Sequence, residues 1–126
     1  MANLPRPTDA ELEILTVLWS RGPTTVREVH DTISARKPTQ YTTVLKMMQI
    51  MAEKGLVERN ETARTHVYSP VAGQEQTERQ LVQDLVDRAF GGSAAQLVLR
   101  ALSAEGTTDA ELTAIRKLID DYREKR

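Results

Sequence analysis

The chain has 126 residues, a formal net charge of −1 and no cysteine. The lack of cysteine excludes thiolate catalysis, thiol redox sensing and thiolate metal sites. His30 and His66 are the only imidazoles, so we expect neither a metal site nor a cofactor. The sequence has no run of about eighteen apolar residues and no basic leader followed by an apolar segment. We therefore expect a soluble cytoplasmic protein with no membrane contact of its own.

A capping box formed by Thr8 and Glu11 predicts the start of a first helix. Gly22-Pro23 predicts its end. Trp19 follows the apolar spacing of this helix, so we interpret it as a core anchor and not as a stacking platform. The predicted apolar side consists of Leu12, Leu15 and Trp19, with Ile14 and Leu18 beside them.

Thr25 and Glu28 predict a second helix that ends near Lys37-Pro38. Val26, Val29 and Ile33 have the spacing of its inward face. The start of a helix offers free N–H groups and a positive dipole, which favour a phosphate. The residues predicted to contact DNA there are Thr24, Thr25 and Arg27.

A third helix is predicted from a capping-type Thr39 to Lys54, with Gly55 able to take the left-handed conformation that ends a helix. Its apolar stripe is Val44, Met48 and Met51, flanked by Met47 and Ile50. Thr42, Lys46, Gln49 and Glu53 fall on the opposite side. One face can therefore pack while the other enters a DNA groove.

The next segment has the pattern of a β-hairpin. Leu56 to Glu58 is apolar and extended, Arg59 to Arg64 is a polar turn, and Thr65 to Ser69 alternates as a strand does. Arg59, Arg64 and His66 are predicted at or near its tip, where they can contact phosphates. Three helices followed by this hairpin predict a winged helix-turn-helix that binds double-stranded DNA.

The distribution of charge supports this interpretation although the whole chain is nearly neutral. Between Arg36 and Tyr68 there are six Lys and Arg residues against three Glu residues. From Val71 onward, eight Lys and Arg residues stand against ten Asp and Glu residues. The positive charge is thus concentrated in the segment predicted to face DNA.

The half after Pro70 predicts three further helices, over residues 74 to 90, residues 94 to 102, and from Thr108 onward. They are rich in apolar residues but too few to enclose a core alone. We therefore expect a homodimer that binds a two-fold operator. The fold class is mostly α with a small β wing, with a winged-helix domain over 1–70 and a helical dimerisation domain over 71–126. The predicted dimer interface consists of Leu81, Leu85, Phe90, Leu97, Val98, Leu102, Ile115, Leu118 and Ile119.

These segments also resemble a known family in the same order. YTTVLKMMQIMAEKGLVERN followed by R-x-H-x-Y-S-P resembles the recognition helix and wing of the BlaI/MecI penicillinase-repressor family. TDAELEILTVLWSRGPTTVREV resembles its first two helices, and GGSAAQLVLRALS with the final amphipathic helix resembles its dimerisation part. The resemblance implies a dimeric repressor of a dyad-symmetric operator. It also implies a membrane-bound metalloprotease sensor as a partner, whose pathway releases the repressor from DNA by cleavage.

The family's recognition-helix positions that face DNA correspond here to Thr42, Thr43 and Lys46, and Tyr41 is predicted to contact DNA beside them. Where the penicillinase repressors have a cleaved Asn-Phe bond, this chain has Arg100-Ala101. The cysteine pairs of the copper-responsive branch are absent, which excludes copper sensing through thiolates.

Two other classes of function are less consistent with the sequence. A winged helix can also serve as a protein-interaction module without reading DNA. For an enzyme, the sequence offers no nucleophile with a histidine partner, no phosphate-binding loop and no paired-carboxylate motif. We therefore predict that the protein is not an enzyme.

Overall fold

The computed structural model describes residues 5–62 and 64–126. Its fold divides into two compact units, one ending at Leu81 and the other beginning at Val82. No helix in the described ranges is both long enough and apolar enough to cross a membrane. In chain order the elements are α1 (Asp9–Arg21), α2 (Val26–Ser34), α3 (Tyr41–Lys54), β1 (Val57–Asn60), β2 (Val67–Pro70), α4 (Gln74–Ala89), α5 (Ala94–Leu102) and α6 (Asp109–Glu124).

Both predicted capping boxes are confirmed. The Thr8 hydroxyl accepts a hydrogen bond from the Glu11 backbone N–H, and the Glu11 carboxylate accepts one from the Thr8 backbone N–H. Thr25 and Glu28 make the same pair of contacts at the start of α2. Two N–H groups that a helix terminus would leave unsatisfied are therefore bonded at each start.

The buried face of α1 differs from the predicted one. Leu12 and Trp19 were placed on the main apolar side, but they are only partly buried. The residues with almost no exposure are Ile14, Leu15, Val17 and Leu18. The reason is that α1 packs against α2, α3 and β2 together, which gives it a broad buried arc. Trp19 packs on the edge of the core, and its indole N–H donates to the carbonyl of Ala72 at 3.0 Å.

For α3 the predicted inward stripe is confirmed, because Val44, Met48 and Met51 are buried. Gly55 ends the helix in the left-handed conformation with φ of 85°. The prediction for Ile50 was wrong. Its side chain is 41% exposed, since a step of two residues from Met48 rotates it by about 200° around the helix.

The predicted cap at Thr39 was also wrong. Gln40 occupies the N-cap position, while the Thr39 hydroxyl donates to the carbonyl of Lys37 instead. The chain therefore enters α3 one residue later than the sequence pattern indicated.

The hairpin is present, but its strands are displaced from the predicted positions. Arg59 lies within β1, opposite Tyr68 of β2, whereas His66 precedes β2. The predicted turn contains residue 63, which lies outside the described residues. Residues 1–4 of the predicted first domain also lie outside them. Thr24 extends the hairpin through two backbone hydrogen bonds with Tyr68, of 3.0 and 2.8 Å. These bonds attach the wing, defined as residues 57–62 and 64–70, to the segment before α2.

The second unit contains the end of α4 together with α5 and α6. Gly92 ends α4 by donating its N–H to the carbonyl of Val86 at 2.9 Å. Ser93 and Thr108 cap α5 and α6 with their hydroxyls. Within this unit several large apolar side chains are exposed in the single chain: Val82, Leu85, Val98, Leu99, Leu112, Leu118, Ile119 and Tyr122. The compact units divide at Leu81, and the functional boundary at residue 70 stays a prediction.

A charged residue is buried where α1 begins. Glu11 is 4% exposed, and its carboxylate lies 2.7 Å from the ammonium of Lys54 at the end of α3. Burial raises the pKa of Glu11, but the hydrogen bond and charge of Lys54 and the hydrogen bonds with Thr8 outweigh it. The pKa therefore lies below the ordinary glutamate value.

Replacing Glu11 with Gln should lower the free energy of unfolding at neutral pH by about 1–2 kcal/mol. The amide can still accept from Thr8, so the change removes mainly the charge opposite Lys54. A lowered folded-state pKa means that Glu11 stabilises the fold above its unfolded-state pKa, and that this contribution disappears as the pH falls through the folded-state pKa. Urea unfolding of both proteins from neutral to acid pH should show the difference shrinking. A difference that is constant with pH would contradict this account.

Candidate DNA-binding surface

The outward face of α3 is polar and available for contact. Thr42, Thr43 and Lys46 are exposed, and their side chains have no hydrogen-bond or ion-pair partner within the described residues. Hydroxyls and an ammonium without internal partners can reach the edges of bases when a helix lies in the major groove. They are three of the four residues of α3 that were predicted to contact DNA, and that contact stays a prediction.

A cleft between α3 and the wing brings together residues from three predicted groups. It is lined by Arg27 from α2, Tyr41 from α3, and Arg59, Arg64 and His66 from the wing. The Arg27 guanidinium lies 4.9 Å from the centre of the Tyr41 ring, which is a cation–π distance. The cleft therefore gathers cationic groups beside the polar face of α3, where they can contact the DNA backbone.

Two of the predicted contacts at the start of α2 have structural roles instead. The Thr24 side chain is buried, and its hydroxyl donates to the carbonyl of Gly22. Thr25 caps α2, and its backbone N–H donates to the Glu28 carboxylate. These hydrogen bonds with Thr25, together with Arg21, hold the pKa of Glu28 below its ordinary value. An anionic carboxylate thus lies at the terminus that was predicted to hold a phosphate. Of the three predicted residues Arg27 is exposed and Thr25 is half-buried, and their contact with DNA stays a prediction.

Carboxylates also lie beside several cations of this surface, which the sequence pattern did not reveal. Glu61 is 3.1 Å from the guanidinium of Arg59 and 3.7 Å from the His66 ring. Glu13 on α1 lies 3.6 Å from Arg36 and 3.4 Å from Lys37. The charge surplus counted in the sequence is therefore partly neutralised within the fold. Arg64 is an exposed wing cation that makes no ion pair in the described part of the chain.

The positions predicted to form the dimer interface all retain exposure in the single chain. Leu118 is 66% exposed, and Leu85 and Ile119 are each 50% exposed. Arg100 and Ala101, at the predicted cleavage region, lie exposed on α5. The other predicted interface residues are Val98, which is exposed, and Leu81, Phe90, Leu97, Leu102 and Ile115, which are half-buried.

Three helices, a two-stranded wing and an outward polar face on the third helix define a winged helix-turn-helix protein. The chain belongs to the penicillinase repressor family, whose model matches residues 7–121. Proteins of this family are DNA-binding regulators and not enzymes, so this chain is not an enzyme. The sequence-based predictions of fold class and family are confirmed.

Individual relatives agree with this assignment. The chain is 39% identical to the transcriptional regulator BlaI of Mycobacterium tuberculosis over 100 residues, which are 79% of this chain and 72% of the relative. It is 21% identical to the penicillinase repressor of Bacillus licheniformis over 126 residues, which are 100% of this chain and 98% of the relative.

A solved structure is similar to more than half of the chain. The monomeric form of Bacillus licheniformis BlaI in complex with the blaP half-operator is 27% identical to this chain, with a TM-score of 0.52. The match covers 60% of this chain and 92% of that one.

Replacing Lys46 with Ala should weaken binding to the regulated DNA while leaving the fold intact, because Lys46 is exposed opposite the buried stripe of α3. A contact to a base edge predicts a loss of about 1–3 kcal/mol for the specific site and a smaller loss for random DNA. Arg64→Ala provides the comparison, since a phosphate contact should weaken both DNAs equally. Binding curves on both DNAs measure this difference. Unchanged affinity in a folded Lys46→Ala protein would remove Lys46 from the surface.

Replacing Glu61 with Gln should raise affinity for specific and random DNA, because Arg59 then no longer has a competing carboxylate at 3.1 Å. One additional phosphate contact should increase the salt slope of binding by about one. Glu58→Gln on β1 makes the same charge change without an ion pair in the described residues, and serves as the control. Equal effects of the two substitutions would show that overall charge, and not release of Arg59, changes the affinity.

Proposed function

We propose that the protein is a transcriptional repressor that binds a dyad-symmetric operator as a homodimer. The observation that carries the proposal is the unpartnered polar face of α3, with Thr42, Thr43 and Lys46, beside the cationic cleft. The helix supplies groups that can read bases, and the cleft supplies groups that can hold phosphates. Specific DNA binding would need both the base-reading face of α3 and the phosphate-binding cleft.

The similarity to the half-operator complex supports the proposal that one protomer binds one half-site. In that complex a monomeric BlaI is bound to half of an operator. One protomer of this protein would then contact one half-site through α3, with Arg27, Arg59 and Arg64 contacting the flanking backbone.

The exposed apolar residues of the second unit support the proposed pairing. Leucine and isoleucine side chains on α5 and α6 remain in contact with water in a single chain. Their burial against a second copy would contribute about 25 cal/mol for each Å² removed from water. A homodimer that repeats its half-site contacts across a two-fold axis would bind an operator of matching symmetry.

Release from DNA would follow from cleavage within the second unit. Arg100 and Ala101 lie within α5, so a cut between them would divide one helix of the proposed interface. A membrane-bound metalloprotease sensor is the partner that the family resemblance implies. Incubating the repressor with that sensor and identifying the new termini by mass spectrometry tests this step, and an intact chain would contradict it.

The function itself is tested with the DNA upstream of the protein's own gene. Affinity measured over a series of salt concentrations should fall steeply for both specific and random DNA, because phosphate contacts release counterions. The upstream DNA should be preferred at every salt concentration. The absence of both the preference and the salt slope would favour a protein-interaction module instead.

Replacing Leu118 with Glu should separate the dimer and lower operator affinity by at least about tenfold, since each protomer would then bind a half-site on its own. Leu118 is 66% exposed on α6 in the single chain, so the substitution does not disturb an internal core. Thr113→Glu introduces the same charge on the opposite face of α6 and should leave the dimer intact.

Sedimentation and binding to full and half operators together measure this effect. Affinity for a half-site should be equal in the two variants. A monomeric Leu118→Glu protein with full operator affinity would show that pairing does not contribute to binding.

A further inference from the structure

The start of α3 is held by α2 and not by a cap of its own. The Gln40 side chain makes no capping hydrogen bond within the described chain. The preceding residue is fixed instead, because the carbonyl oxygen of Thr39 lies 2.7 Å from Nε2 of His30. The Ser34 hydroxyl donates to the same oxygen at 3.1 Å. Two side chains of α2 thus bond Thr39, the residue directly before the N-cap of α3.

The hydrogen-bonding groups determine which atom of His30 carries a proton. A carbonyl oxygen can only accept, so Nε2 at 2.7 Å must be the donor. The other ring nitrogen, Nδ1, faces the Asp31 carboxylate at 3.4 Å. His30 can therefore donate to Thr39 both as the neutral Nε2–H tautomer and as the imidazolium ion.

Tyr41, the first residue of α3, is held by the same helix. The His30 ring meets the Tyr41 ring edge to face, with centroids 5.7 Å apart and planes at 71°. Arg27 lies over the Tyr41 ring at 4.9 Å. Residues 39 and 41 are thus both anchored to α2, on either side of the uncapped Gln40.

We propose that His30 is a positioning residue for base recognition: its hydrogen bond to Thr39 and its ring contact with Tyr41 fix the start of α3. Thr42 and Thr43 follow directly, so a displaced first turn would move their hydroxyls out of reach of the bases. This inference rests on the proposed function, because it assigns His30 a role in the same DNA contact. His30 itself contacts no DNA and acts through Thr39 and Tyr41.

If His30 has this role, its loss should change the affinity for operator DNA more than the affinity for random DNA. Specific binding depends on where the α3 side chains meet base edges, whereas binding to random DNA depends on phosphate contacts that the wing supplies. Loss of the His30 anchor should therefore reduce the preference for the operator. Affinity for random DNA should stay nearly constant.

Two substitutions in the full-length protein separate the two contacts. His30→Phe keeps an aromatic ring against Tyr41 but removes the donor, and His30→Gln keeps an N–H donor at the position of Nε2. We expect His30→Phe to lower operator affinity about tenfold, as for the loss of one hydrogen bond, and to change random-DNA affinity less than about twofold. His30→Gln should restore most of the preference. Asp31→Asn, which leaves the Nε2 contact in place, should keep the ratio of the two affinities.

Backbone amide hydrogen exchange of the protein without DNA tests the anchor directly. The amides of the first turn of α3 should exchange faster in His30→Phe than in the wild type and His30→Gln, with no change in β1 and β2. Ser34→Ala, which removes the second donor to Thr39, should give a smaller change in the same amides. This measurement remains decisive if His30→Phe has a lowered melting temperature.

The outcomes distinguish this inference from the proposed function. A wild-type protein with no preference for its upstream DNA would contradict the proposed function, while the exchange data would still test the anchor. A wild-type preference that persists unchanged in His30→Phe would overturn the inference. Equal losses on operator and random DNA, or no rescue by His30→Gln, would also overturn it.

Discussion

The burial of one face of α3 is the constraint on which the rest of the first unit depends. Val44, Met48 and Met51 are enclosed by α1, α2 and the strands, so the rotation of α3 about its axis is fixed. Because a helix repeats every 3.6 residues, the rotation of α3 also determines which of its side chains face outward. Thr42, Lys46 and Gln49 become exposed as a consequence of packing on the other side. The candidate surface thus follows from the core, and a repacked core would turn a different set of residues outward.

Packing fixes the rotation of α3, but polar contacts fix its two ends. Lys54 at the last turn is paired with Glu11 of α1, and Thr39 before the first turn is bonded by His30 of α2. Neither contact adds much apolar burial, and each joins α3 to a different neighbouring helix. A hydrogen bond forms only within a narrow range of donor–acceptor distance and angle, so each of these contacts restricts the position of one end of α3. The position of the candidate DNA-contact residues therefore depends on these few polar groups.

The features that could be predicted from the sequence are the local ones. The capping boxes at Thr8 and Thr25 and the helix end at Gly55 depend on residues three or four positions apart. The misplaced features depend on distant partners. Thr24 was expected to face a phosphate, but its backbone pairs with Tyr68 of the wing, forty-four positions later in the printed sequence. The strand limits of the wing were misplaced because Asn60 and Glu61 make turn and ion-pair contacts that no alternation of apolar residues encodes.

Glutamates lie beside several cations of the candidate DNA-binding surface, and this arrangement bears on the proposed mode of regulation. Arg59, Arg36 and Lys37 each have a glutamate within 4 Å, so their attraction to phosphate is reduced before DNA arrives. A protomer with such a surface is expected to bind a half-site weakly and to prefer its operator mainly through α3. Tight binding then requires two half-sites to be held together, which raises the effective concentration of the second contact. In the proposed homodimer, weak single contacts would make occupancy of the operator depend steeply on pairing. Any event that separates the protomers would then release the operator without changing the candidate DNA-contact residues.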